Sequence, residues 1–231
     1  MERPFTDRRE AGRLLAAQLV APFGGRRDVI VLALPRGGVP VAFEVAETLG
    51  APLDVLPVCK LGVPWQPELA MGALSSNGAQ YVDEALIRET GVSEPQLQSA
   101  LALARIELGR REARYRGERA SVPVAGRVAL VVDDGMATGA SLKAAALALA
   151  SLGPARIVAA LPVAPAGARA RLAGAIDDFV CVKTPVSFMS VGQFYDDFDQ
   201  VDDETVRDLL ARSAASHPCG DDASSNGSQT G

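Results

Sequence analysis

The residues best placed to do chemistry lie in one stretch, Val128-Ala129-Leu130-Val131-Val132-Asp133-Asp134-Gly135-Met136-Ala137-Thr138-Gly139-Ala140-Ser141. An apolar run ends in two adjacent carboxylates, passes through a loop of small residues and enters an Ala/Leu-rich segment. Physically this is a buried strand, a turn and the start of a helix. Gly135 and Gly139 let the turn close tightly, and Thr138 and Ser141 supply hydroxyls. Backbone N–H groups at a helix start have no intrahelical acceptor and form an anion site. Two carboxylates just before that site would repel a phosphate bound there alone. They are useful if the ligand carries hydroxyls, or a metal ion, beside its phosphate. A ribose 5-phosphate has that shape. A plainer account is a strand–loop–helix junction whose acids cap the helix, although one acid would be enough for that.

A second candidate is Pro35-Arg36-Gly37-Gly38-Val39-Pro40, after the apolar run Val29-Ile30-Val31-Leu32-Ala33-Leu34. Ligands of open parallel sheets gather at the carboxyl ends of strands. Arg36 can bond a pyrophosphate through two N–H groups, and Gly37 lets the backbone come close to it. The alternative is a tight turn with an exposed arginine. Other chemistries have no support. The single histidine, His217, lies in the polar tail, so a Ser–His–Asp triad has no base. No GxSxG, GxxxxGK[ST] or GxGxxG pattern occurs.

These loops need elements to hold them. Residues 6–20 read as a helix capped by Thr6. Residues 29–34, a helix over 39–49 stopped by Gly50, and a strand over 53–58 closed by Cys59 and Lys60 make a βαβ unit. Such units build a parallel sheet buried on both faces. In residues 63–81, Pro64, Pro67, Gly72 and Gly78 break any long element, and Ser75-Ser76-Asn77-Gly78 reads as a hairpin turn. A helix is predicted over 93–115, with Leu97, Leu101, Ile106 and Leu108 recurring along it. Strand and helix then alternate again over 128–132, 142–152 and 157–161. A short helix over 169–173, a last strand over 179–182, an irregular segment over 185–195 and a helix over 202–212 complete the plan. The fold class is therefore α/β, an open, mostly parallel sheet of about five strands with helices on both faces and a smaller hood. One domain is expected over 1–212, with its core near 28–60 and 120–184 and lid and hood elements near 61–119 and 185–212. Residues 213–231 read as a disordered tail.

Composition narrows the class. The chain has 231 residues, enough for one good-sized core. Its net charge of −5 argues against a nucleic-acid surface. The richest basic stretch, Arg105, Arg110, Arg111, Arg114, Arg116 and Arg119 with Glu107 and Glu112 between them, reads as a solvated helix face rather than an RNA grip. Cys59, Cys181 and Cys219 have no spacing that fits a disulfide framework or a zinc site. No apolar run is long enough to span a membrane, and residues 1–10 are too charged for a secretory signal, so a cytoplasmic location is expected.

The stretch from Val128 to Ser141 resembles the phosphoribosyl-pyrophosphate (PRPP) signature of the type I phosphoribosyltransferases: apolar residues, two acids, then a Gly/Thr/Ser loop. The layout from about Asp28 to Val182 is similar to that family's core. The resemblance implies a glycosyltransferase of the pentosyl class, with Asp133 and Asp134 on the ribose hydroxyls and residues 135–141 around the phosphate. Arg36 and Gly37 would bind pyrophosphate, in a loop that often holds an unusual cis peptide, expected here at Arg36–Gly37. Lys60, at the base of a mobile lid over 63–78, would meet pyrophosphate when the lid closes, or be a solvated strand-end lysine. Trp65 and Phe188 are candidates to stack the acceptor base, or to pack the closing segments together with Phe194 and Tyr195. Mg²⁺ is the implied cofactor, held mainly by substrate with weak help from Asp133. The implied partners are PRPP, pyrophosphate and an unnamed base, in a possible homodimer. Position 137 is Ala, where several members carry an Asp proposed as a base; an adenine-type member also has Ala there, so no general base is assigned. Two non-enzymatic alternatives are a PRPP-sensing regulator that reads nucleic acid and a nucleotide-binding domain that steadies a partner enzyme.

Overall fold

The computed structural model describes residues 3–117 and 119–216. Along the chain, α1 (Arg8–Phe23) leads into β1 (Val29–Ala33), α2 (Gly38–Leu49) and β2 (Leu53–Val55). Then come β3 (Val58–Val63), β4 (Gln66–Ser75), β5 (Gln80–Val82), α3 (Glu84–Thr90) and α4 (Glu94–Arg116). The remainder is β6 (Val128–Val132), α5 (Ala140–Ala150), β7 (Arg156–Val163), α6 (Ala168–Arg171), β8 (Asp178–Lys183), a 3₁₀ turn at Val191–Phe194 and α7 (Asp203–Ser216).

The apolar runs become a five-stranded parallel sheet in the order β2-β1-β6-β7-β8. Every residue of β1 and β6 is buried, because helices cover both faces. Strand side chains alternate between faces. Val29, Val31 and Ala33 join Leu15, Val45 and Leu209 on the side of α1, α2 and α7. Ile30 and Leu32 join Leu142, Leu149 and Leu172 on the side of α5 and α6. The protein is thus α/β with a parallel core sheet between two helical layers.

Several boundaries differ from the sequence reading. α1 starts at Arg8 because Asp7, not Thr6, caps it: the Asp7 carboxylate accepts from Glu10 N at 2.7 Å. β2 ends at Val55, and Lys60 lies exposed within β3 of a second sheet, not at the end of a core strand. The sequence reading places a mobile lid over 63–78, broken by Pro64, Pro67, Gly72 and Gly78. Instead β3, β4 and β5 form an antiparallel sheet, and Leu61, Val63 and Met71 pack against Leu97, Leu101 and Leu108 of α4. Gly62 sits at a bulge: a Cβ on it would collide with the Pro67 backbone, and the β3–β4 register shifts at that point. Ile106, expected on the buried face of α4, is exposed. α7 continues to Ser216 and buries Val206, Leu209 and Leu210 on α2, so it belongs to the core rather than to a hood. Residues 213–216 of the expected tail are helical; its other residues lie outside the described ones. Among the described residues, no helix is long and apolar enough to cross a membrane.

The arginine-rich face of α4 is also not uniformly solvated. Arg116 is buried and pairs with buried Asp54 of β2 through Nε at 3.1 Å and Nη2 at 3.0 Å. Asp54 Oδ2 also accepts from Val122 N at 3.0 Å. This pair fastens α4, and the antiparallel sheet on it, to the edge of the core. Removing one partner of a buried ion pair leaves the other charge uncompensated. Arg116→Met should therefore cost about 3–5 kcal/mol in urea unfolding, and adding Asp54→Leu should recover much of it. A loss below about 1 kcal/mol would mean that the pair does not tie the two parts together.

Candidate functional site

The chain leaves β1 and β6 in opposite directions across the sheet, through α2 to β2 on one side and through α5 to β7 on the other. That reversal opens a crevice beyond their carboxyl ends, where open α/β sheets bind ligands. Leu34 N donates to Val132 O at 2.8 Å and keeps the two strand ends together. Pro35-Arg36-Gly37 therefore emerges beside Asp133-Asp134. Close approach requires glycine at 37, since a Cβ there would overlap the Asp134 carboxylate. The peptide bond Pro35–Arg36 is cis, one bond before the position expected from sequence.

The two acids have different surroundings. Asp133 opens into a cavity of about 500 Å³ that is also lined by Arg36 and Ser141. Its Oδ1 accepts from Asp134 N at 2.9 Å, and no ion pair reaches it among the described residues. Burial first, and then the neighbouring charge of Asp134, push its carboxyl well above the usual carboxylate range. Asp134 instead faces α1, where Arg8 Nε donates to its Oδ2 at 2.9 Å. Burial raises the Asp134 carboxyl too, and the bond from Arg8 works against that rise. Arg8 is itself held: Nη1 donates to Asp199 O at 2.8 Å, and the guanidinium lies over the Phe198 ring, 3.9 Å from its centre. The Tyr195 hydroxyl donates to Asp134 O at 2.6 Å.

After the acids, the chain turns into α5. Gly139 takes a left-handed conformation, φ +84°, as the residue before the helix. Thr138 Oγ1 accepts from Ala140 N at 3.3 Å. Arg171 Nη1 donates to Ala137 O at 2.9 Å and brings a cation to the rim of this loop. Gly135 lies directly under Val191, where a Cβ would clash, so Val191, with Tyr195, closes over the acid loop. Met136 is buried against Gly139.

Of the sequence-predicted residues, Arg36, Asp133 and Ser141 share the cavity, and Gly37 and Asp134 adjoin it. Lys60 is exposed on β3 and Trp65 is 56% exposed between β3 and β4; neither lines this cavity. Phe188 packs on Phe194, ring centres 5.2 Å apart, and does not line it either. Sequence reasoning misses Arg8, Arg171 and the far wall of the cavity, formed by Arg111, Arg114 and Tyr115 of α4 with Asp203. It groups Arg111 and Arg114 with solvated charge. Their only sequence signal is a helical spacing of three, which many surface arginines share. Among the described residues, no group of three or more His, Cys, Asp or Glu side chains could hold a metal ion. A cation here would need oxygens from a ligand.

A family model described as Phosphoribosyl transferase domain matches residues 7–196. Two Mycobacterium tuberculosis proteins, named only provisionally as phosphoribosyl transferases (Rv0571c of strain H37Rv and MT0597 of strain CDC 1551), are each 47% identical over 208 residues. The match covers 90% of this chain and 46% of each relative, so the chain spans about half the length of the curated relatives it matches. The crystal structure of TT1426 from Thermus thermophilus is 42% identical with a TM-score of 0.82, covering 90% of this chain and 98% of that one.

Two expected outcomes follow from this geometry. The carboxyl of Asp133 is raised in the folded state, so the unfolded chain ionises first as pH climbs, and stability falls from about pH 4 up through the folded value. Asp133→Asn keeps the acceptor for Asp134 N and removes that loss. The variant should match the wild type near pH 4 and exceed it by about 0.5–2 kcal/mol at pH 8, the range common for a single stabilising substitution. Thermal melts across this range that stay superimposed would disprove the burial penalty. Gly37→Ala should displace the Asp134 oxygen that Arg8 holds and cost about 1–3 kcal/mol, an overpacking penalty. An unchanged melting temperature for Gly37→Ala would show that the two loops can part freely.

Proposed function

Because the chain belongs to the phosphoribosyl transferase domain family, we propose that it transfers the ribose 5-phosphate group between PRPP and a nitrogenous base, releasing pyrophosphate. One observation carries the reading: Arg36 from the β1–α2 loop, and Asp133 and Ser141 from the two ends of the β6–α5 turn, line a single cavity at the point where the strand order reverses. In this reading the loop over 137–141 takes the 5-phosphate on backbone N–H groups and hydroxyls. Asp133 accepts from a ribose hydroxyl. Asp134 has one oxygen committed to Arg8 and can offer the other. Arg36 and the backbone at Gly37 receive the pyrophosphate.

The base nitrogen forms a bond to the anomeric carbon as the bond from that carbon to pyrophosphate breaks, and the electron pair leaves with pyrophosphate. Positive charge that builds on the ribose is favoured by Asp133 and Asp134, and negative charge on the leaving group by Arg36. Ala137 provides no side-chain base, so the proton on the nitrogen passes to solvent or to the departing pyrophosphate. Asp133 fits Mg²⁺ as a ligand, being a hard oxygen donor with no ion pair and with its own charge opposed by burial. When bound, Mg²⁺ neutralises charge on pyrophosphate.

A second reading, a PRPP- or nucleotide-binding regulator without turnover, draws on Ala137 and on the engagement of Asp134 with Arg8. Labelled PRPP with Mg²⁺ and a panel of purine, pyrimidine and other nitrogenous bases separates the two. The expected result is nucleotide formation with at least one base, and exchange of labelled pyrophosphate into PRPP in its presence. Asp133→Asn should weaken PRPP binding by about tenfold or more, the loss of one charge-assisted hydrogen bond. PRPP binding by calorimetry with no transfer to any base would favour the regulator, and no PRPP binding at all would remove both readings.

A further inference from the structure

We propose that Arg36 and Arg114 form a two-guanidinium clamp for a phosphate or pyrophosphate group, with Asp203 as a built-in counter-ion that the anion displaces. The inference rests on the reading above in placing the anion in the same cavity, and it gives α4 and α7 a part in binding that the sequence motifs do not assign. Asp203 Oδ1 lies 3.6 Å from Arg36 Nη1, and its Oδ2 lies 3.4 Å from Arg114 Nη1. The first is too long for a hydrogen bond and the second is at the outer limit. Asp203 Oδ1 is fully buried and has no hydrogen-bond partner among the described residues. A buried carboxylate oxygen is normally satisfied; here Arg36 approaches Oδ1 without closing, while Arg114 stands off Oδ2.

The third arginine of the cavity behaves differently. Arg111 Nε donates to Glu107 Oε1 of its own helix at 2.9 Å. Arg36 and Arg114 therefore share one carboxylate, although each guanidinium carries five N–H donors. Glu107 takes up Arg111, so two guanidiniums are left facing the single Asp203 carboxylate. The cavity thus has cationic donors in excess. Tyr115 adds a phenol on the same wall that keeps its proton, raised first by burial and then by the charge of Asp203. A phosphate group offers more charge and more acceptors than one carboxylate and can span both guanidiniums. Asp203 then has a function on release. When it swings back to the arginines it replaces the anion's contacts, so a charged product is not held too tightly.

The test is calorimetric titration of the full chain with sodium pyrophosphate, and separately with inorganic phosphate. Asp203→Asn removes the competitor and should tighten pyrophosphate binding by about three- to tenfold. Misfolding cannot imitate a gain of that sign. Arg114→Gln should weaken binding by about tenfold, and Arg114→Lys should fall between it and the wild type. Glu204→Gln, which removes the same charge from an exposed neighbour, should stay within about twofold. In the Arg114→Gln background, Asp203→Asn should gain less than it does alone. The clamp is overturned if Asp203→Asn binds no tighter than Glu204→Gln, if Arg114→Gln equals the wild type, or if the wild type binds neither anion. Binding that follows the expected pattern without any phosphoribosyl transfer keeps the clamp and removes the enzymatic reading. Transfer in a protein whose pyrophosphate affinity ignores Arg114 and Asp203 does the reverse.

Discussion

Asp133 and Asp134 stand side by side where β6 leaves the core, and burial opposes the charge of both. Two carboxylates in that position cost stability unless each finds compensation. Asp134 finds it within the fold. Arg8 reaches it from α1, the Tyr195 hydroxyl holds its backbone carbonyl, and the absence of a side chain at Gly37 makes room for its carboxylate. Asp133 finds no such partner and faces the cavity. The protein thus neutralises one acid and leaves the other in want of a donor or a cation. That division explains why elements from both ends of the sequence converge on one strand end. It also explains why the part of the pair open to a ligand is the part that least favours its own charge.

The other side of the cavity is built differently. α4 rests on the antiparallel sheet through Leu97, Leu101 and Leu108, and is tied to the core by Arg116 and Asp54. Those contacts set where Arg111, Arg114 and Tyr115 stand relative to Arg36. α7 covers α2 with Leu209 and Leu210 and presents Asp203 at its first turn. The cavity is a junction of the parallel sheet, an inserted helix and the final helix. Each contributes charge, and none of the three is complete without the others.

Much of this was legible in the residues, and the reason is locality. The strand–acid–acid–loop–helix order over 128–141 dictates its own structure, since strand burial, glycine turns and helix starts depend on near neighbours. The parallel sheet follows from the same alternation of runs. The lid was misread because Pro64, Pro67 and Gly72 look like breaks. In fact Gly72, like Gly62, permits close strand approach, and the apolar residues between such breaks need α4 before their burial can be seen. Arg8, Arg114 and Arg116 were not legible for a related reason. An arginine in sequence carries no mark of its partner, and theirs lie on other elements: Asp134, Asp203 and Asp54. Phe188 and Trp65 were singled out for being aromatic, which does not distinguish stacking on a ligand from packing on Phe194 or exposure on a hairpin.

The backbone pairing between the segment before α1 and the segment before α7 has a topological consequence. Phe5 N donates to Phe194 O, Asp196 N to Phe5 O and Asp197 N to Thr6 O, at 2.8, 2.8 and 2.9 Å. Beside this short parallel junction Arg8 meets both Asp134 and Asp199. Among the described residues the eight strands lie between Val29 and Lys183, so a fragment could contain all of these and still lack Arg8, Tyr195 and Asp203. The scaffold and the charge balance of its site are therefore different portions of the chain. As the polypeptide is made from its N-terminus, β8 is complete before Tyr195 exists to bond the carbonyl of Asp134. Closing so long a loop costs only slightly more entropy than closing a shorter one, but it orders events: the strands can pair before Tyr195 reaches the Asp134 carbonyl, while Arg8, made first, is already there to meet the Asp134 carboxylate.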